Sequence, residues 1–73
     1  MSRILVTGYG GFLGQSICRQ LIAAGHTVRG LARNAYPALI AAGVEPIVGD
    51  ATRFDDCRKA VEGVDGVIHT AAI

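Results

Sequence analysis

Thr7-Gly8-Tyr9-Gly10-Gly11-Phe12-Leu13-Gly14 follows an apolar run, Ile4-Leu5-Val6, and opens a segment of helical periodicity from Phe12 to Ala24. A strand, a glycine-rich turn and a helix in that order make a phosphate cradle. Gly8 can take the tight turn off the strand. Gly11 lets a diphosphate approach the backbone, and Gly14 lets the helix lie close to the sheet. The helix start then offers free N–H groups to an anion. Tyr9 and Gly10 fill the variable positions of the turn and are expected beside the phosphates, with Tyr9 as a shield.

Outward from this turn the chain alternates strands and helices. Arg3 to Thr7 reads as a strand buried on both faces, because its apolar residues are consecutive rather than alternating. Leu13, Ile17, Cys18, Leu21 and Ile22 form the apolar stripe of the first helix, which Gly25 ends. His26 to Ala32 reads as the second strand. Pro37 starts a short helix through Ala42, and Gly43 stops it. The third strand, Glu45 to Val48, contains Pro46, which places it at a sheet edge. Thr52 and Asp55 resemble a capping box for a helix through Glu62, with Phe54, Cys57 and Val61 on its inner face. Val67 to His69 is the fourth strand.

The composition sets limits on function. Seventy-three residues, 51% of them hydrophobic, with a net charge of +1, describe one compact unit with no charge excess to recruit nucleic acid or a membrane surface. No apolar run approaches the roughly 18 residues of a spanning helix, and no signal-peptide core follows Met1, so a cytoplasmic location is expected. Cys18 and Cys57 read as buried free thiols, and His26 and His69 complete no zinc spacing. His69, ending a buried strand, reads as a satisfied core histidine.

Three motifs in register carry a resemblance: Thr7-Gly8-x-x-Gly11-x-x-Gly14 after the first strand, Gly49-Asp50 after the third, and His69-Thr70-Ala71-Ala72 after the fourth. Together they resemble the extended short-chain dehydrogenase/reductases of the NAD-dependent epimerase/dehydratase superfamily. Gly11-Phe12-Leu13-Gly14-Gln15, Tyr36-Pro37 and Gly43-Val44-Glu45 are most similar to its 3β-hydroxysteroid dehydrogenase-like branch, which includes sterol-4-carboxylate and 2-alkyl-3-ketoalkanoate reductases. The resemblance implies an α/β fold. Residues 1–73 would form the first half of a doubly wound parallel Rossmann sheet of order 3-2-1-4, truncated after the fourth strand.

It also implies the sites. Gly8, Tyr9, Gly10, Gly11, Phe12, Leu13 and Gly14 would hold the diphosphate of a dinucleotide. Asp50 would bond the adenine amino group, Ala51 would contact the ring, and Ala71 and Ala72 would let the cofactor pass closely. The family acid that binds the ribose hydroxyls of NAD is replaced by Ala32, followed by Arg33. A guanidinium pairs with a 2′-phosphate where a carboxylate would repel it, so NADP is favoured over NAD. Arg33 can also be read as a solvated loop charge, and Arg29 as lining the sheet.

The family's Tyr-x-x-x-Lys pair is missing, since the only lysine, Lys59, has Asp55 four residues before it. The expected parent is therefore an oxidoreductase acting on a small hydroxyl or carbonyl substrate, with its catalytic groups on later elements and with homodimerisation as an option. Epimerase, dehydratase or non-catalytic NADP sensor remain alternatives. In the chain as it stands, one helix alone would cover one sheet face, leaving Ile4, Val6, Ile68 and the fourth-strand edge short of neighbours.

Overall fold

The computed structural model describes residues 2–70. Its elements are β1 (Arg3–Thr7), α1 (Phe12–Ala23), β2 (Thr27–Ala32), α2 (Pro37–Ala42), β3 (Glu45–Val48), α3 (Phe54–Ala60) and β4 (Gly66–His69). The strands form one parallel sheet of order β3-β2-β1-β4. This is the first half of a doubly wound Rossmann sheet. Registers such as Val6 opposite Gly30 and Ile68 bring the C-terminal ends of the three strands together beside the turn that follows β1.

Right-handed crossovers put α1 and α2 on one face of the sheet and α3 on the other. The first face holds the larger core, with Val6, Tyr9, Cys18, Val28, Leu39 and Val44 buried together. The second is smaller, built from Leu5, Leu31 and Ala60 with Ile47, Ala51, Cys57 and Val64 packed on it. Alternation along β1 divides its side chains between the two cores, Ile4 and Val6 going to one and Leu5 to the other.

Several local expectations are revised. Leu13 is 61% exposed, because burial of Gly14 and Cys18 turns α1 so that Leu13 lies off the contact stripe. The residue facing the sheet from α3 is the small Ala60, with Cys57 half-buried, while Phe54 is 77% exposed and Val61 also lies outside. Thr52 does not cap α3. Its N–H and hydroxyl both donate to Asp50 Oδ1, at 2.8 and 2.7 Å, closing an Asx turn, and Arg53 is the N-cap residue.

His26 precedes β2 and accepts a hydrogen bond from Ser2 N. His69 is exposed rather than buried, because β4 is an edge, and its Nδ1 lies 2.6 Å from Thr7 Oγ1. Val6 is fully buried and Ile4 and Ile68 pack on the α1 side. The uncovered side chains of the β4 edge are instead Val67 and His69, which the register puts on the same face as Leu5, the face of α3, whose packing is against β2.

Arg29 enters the fold in an unexpected way. Only 9% exposed, it reaches past β2 to Glu45, 3.1 Å away, and donates to the carbonyls of Ala60 and Glu62 at 2.9 and 2.6 Å. A cation there satisfies carbonyls that a helix end leaves unpaired.

Candidate functional site

The turn between β1 and α1 is built on backbone. Gly8, at φ 64°, takes the left-handed conformation that a side chain disfavours, and its N–H donates to Leu31 O of the neighbouring strand at 3.0 Å. Gly11 N–H donates back to Gly8 O at 3.1 Å. Gly14 is required by proximity: a Cβ there would strike Gly8 O and stand 2.7 Å from Tyr9 Cα. Thr70 completes the corner by donating its hydroxyl to Thr7 O at 2.6 Å.

Gly11 is the N-cap of α1 and has no side chain with which to cap it, and the first turn carries no acid. A Cβ on Gly11 would meet only Gly8 O, at 3.5 Å, so it would project into the mouth of the turn rather than into the protein. The N–H groups at the start of the helix, from Phe12 to Gly14, are left for an anion. Exposure of the Phe12 and Leu13 side chains accompanies this arrangement.

Tyr9 departs from its expected place. Its side chain is fully buried beneath the turn, so it does not lie beside an anion at the mouth and cannot shield one. The ring rests on Gly30 of β2, where an added Cβ would lie 2.6 Å from Tyr9 Cγ, and it meets Tyr36 edge-on with centroids 5.2 Å apart. Burial pushes the Tyr9 phenol up. Among the described residues its hydroxyl has no hydrogen-bond partner.

Beside the turn lies a cavity of about 470 Å³ whose walls are Gly8, the segment from Leu31 to Asn34, Tyr36, and the segment from Gly49 to Thr52. It therefore gathers Gly8, Arg33, Asp50 and Ala51, four residues singled out from the sequence. Arg33 is mostly exposed and its guanidinium stands 3.5 Å from Asp50 Oδ2. Hydrogen bonds from Thr52 hold the Asp50 carboxyl below the usual carboxylate range, and the Arg33 charge assists. Asp56, on α3, fixes the corner by accepting from Asp50 N at 2.8 Å. Ala71 and Ala72 lie outside the described residues.

Tyr36 and Asp56 were not legible as site residues. Tyr36 entered the sequence reading only as a mark of resemblance, although the adjacent glycines of the turn leave room for an aromatic ring. Among the described residues no cluster of histidine, cysteine and acids could hold a metal, and no helix is long and apolar enough to cross a membrane.

The sequence profile of the NAD dependent epimerase/dehydratase family matches residues 4–73. A 2-alkyl-3-oxoalkanoate reductase of Shewanella oneidensis is 46% identical over 72 residues, covering 99% of this chain and 19% of its own length. A 3-beta-hydroxysteroid dehydrogenase of Mycolicibacterium neoaurum is 40% identical over 73 residues, covering 100% of this chain and 20% of its own. The chain thus spans about a fifth of the length of these curated relatives. Among solved structures, a short-chain dehydrogenase/reductase superfamily protein from Agrobacterium tumefaciens with bound NAD superposes with a TM-score of 0.81 at 32% identity, over 97% of this chain and 20% of that one.

Proposed function

Since the chain belongs to the NAD dependent epimerase/dehydratase family, we propose that it is the nucleotide-binding segment of an NADP(H)-dependent oxidoreductase acting on a hydroxyl or carbonyl group. The observation that carries this reading is the cavity whose walls include Gly8 of the glycine turn together with Arg33 and Asp50. Gly11 supplies the test of fit, because the space a Cβ would take there is the space a diphosphate needs.

The proposed roles are those the family resemblance implies, and the geometry of the cavity is compatible with them. Backbone N–H groups from Phe12 to Gly14 hold the diphosphate against the positive end of α1. Asp50, kept ionised by Thr52, accepts from the adenine amino group, and Ala51 leaves room for the ring. Arg33 leaves Asp50 to pair with a 2′-phosphate, which its exposure permits. Ala71 and Ala72 would flank the cofactor farther along. The bound cofactor supplies or takes up a hydride at its nicotinamide.

No Tyr-x-x-x-Lys pair occurs in these residues, so the group that moves a proton at the substrate belongs to another segment of the protein. The names of the reductase and dehydrogenase relatives favour hydride transfer as the net reaction, on a substrate of the 3-oxoacid or 3-hydroxysteroid kind. Epimerisation or dehydration is the second reading, favoured by the name of the matching family, since both would use the same nucleotide cradle.

The reading is tested by titrating the full-length protein with NADPH and NADH. Arg33→Ala is expected to weaken NADPH by about 1.5–3 kcal/mol, the scale of a charge-assisted hydrogen bond, and to leave NADH nearly unchanged. Equal losses for the two cofactors would remove the preference for NADP.

A further inference from the structure

Tyr36 does something that neither the glycine pattern nor Arg33 explains. It is the N-cap residue of α2, and its carbonyl accepts from the N–H groups of Leu39 and Ile40, both at 3.0 Å, so its backbone is fixed by that helix. From there its ring crosses to the β1–α1 turn. A Cβ built on Gly10 would fall within the Tyr36 ring, so the ring occupies the space that glycine leaves open. The same ring meets Tyr9 edge-on, at an interplanar angle of 83°. Tyr36 also lines the cavity that contains Arg33 and Asp50.

Gly10 is therefore held from two directions. Gln15 Nε2, on α1, donates to its carbonyl at 2.9 Å, while Tyr36 lies over its Cα. Beneath, Tyr9 cannot yield, because it is wedged between Tyr36 and Gly30 with no exposed surface. A stack of Gly30, Tyr9, Tyr36 and Gly10 thus connects the centre of β2, the turn and the start of α2. Aromatic rings suit this task, because they transmit a fixed spacing with few rotatable bonds.

We propose that Tyr36 is a positioning residue for the diphosphate of the bound nucleotide: its ring clamps Gly10 and so holds the N–H groups of the turn at the spacing the phosphates require. A diphosphate bound through backbone N–H groups depends on their mutual geometry, and a turn made largely of glycine has little stiffness of its own. The ring supplies the missing stiffness and ties the turn to the loop that carries Arg33. This assignment rests on the nucleotide-binding reading of the cavity.

The experiment is calorimetric titration of the full-length protein with ADP, which carries the diphosphate but no 2′-phosphate or nicotinamide, alongside urea unfolding of each variant. Tyr36→Ala should weaken ADP by about tenfold, within the range for residues coupled by direct contact, while Tyr36→Phe keeps wild-type affinity because the ring is retained. Gly10→Ala should cost a similar factor by displacing the ring, and should cost nothing further in the Tyr36→Ala background.

A purely structural tyrosine would lower the urea midpoint and leave the folded protein's affinity for ADP intact, and that result overturns the assignment. Additive losses in the double variant overturn it too, as does a Tyr36→Phe loss as large as that of Tyr36→Ala. If Tyr36→Ala does not fold, Gly10→Ala and Tyr36→Phe still decide: the first must lose ADP and the second must not. Failure of the unaltered protein to bind ADP removes the nucleotide site itself, whereas binding untouched by either variant removes only the role of Tyr36.

Discussion

At Gly11 the demands of folding and of ligand separate. Folding tolerates a side chain there, since an added Cβ touches only Gly8 O at an ordinary 3.5 Å, whereas the diphosphate proposed to bind this turn would be excluded by it. Gly11→Val is accordingly expected to leave far-ultraviolet circular dichroism and the urea midpoint close to wild type while abolishing the heat of NADPH binding. Retained binding would show that the phosphates do not enter this turn. Gly14 offers no such separation, because a Cβ there collides with the backbone of the turn itself. Both glycines were legible because their spacing follows from strand–turn–helix geometry alone. The direction of Tyr9 was not. Whether it points out toward a ligand or inward is decided by Gly30, more than twenty positions away, which leaves a hole in β2 that the ring fills. Arg33 was legible as a charge near the site, but its 3.5 Å approach to Asp50 depends on where two loops meet in space.

Among the elements, those with local signals were read closely. Pro37 and Gly43 delimit α2, and Pro46 marks β3 as an edge. The helix after β3 was read two residues too long and with the wrong inner face, because its packing is set by a distant strand. Ala60 must be small to approach β2, and Arg29 from that strand takes up the carbonyls of Ala60 and Glu62. No periodicity within the helix encodes such a contact. Arg29→Leu should therefore destabilise the protein by about 1.5–3 kcal/mol in urea unfolding, the scale of hydrogen bonds to a charged group. Glu45→Gln removes only the ion pair and should cost less than about 1 kcal/mol, because Glu45 is more than half exposed. Similar costs for both variants would mean that Glu45, rather than the helix end, is what Arg29 serves.

For the molecule as a whole, the order β3-β2-β1-β4 was legible from the family resemblance together with Pro46, and the thinner cover on the face of α3 from crossover handedness. Which side chains that leaves bare was not, because the register of β4 against β1 puts Ile68 with the α1 core and turns Val67 and His69 outward. A parallel edge with Val67 52% exposed invites pairing with another copy. The 73-residue polypeptide on its own is expected to elute from size exclusion as self-associated species, and Val67→Lys to shift it toward monomer; a monomeric wild type would refute this. The unequal cores also imply unequal lifetimes. With Ala60 as its only buried residue, α3 is fastened by a few neighbours and by the Arg29 hydrogen bonds, whereas α1, α2, β1 and β2 share a single larger cluster. It should come away from the sheet as a separate cooperative unit, at a free energy below that of global unfolding. In native-state hydrogen exchange the amides of α3 from Cys57 to Ala60, and that of Val61 just after it, would then exchange early and together, and those of β1 and β2 last. The wall that carries Asp50 would be lost transiently many times for each time the glycine turn is, so that, under the proposed nucleotide-binding reading, a nucleotide would shed its adenine contacts while its phosphates are still held.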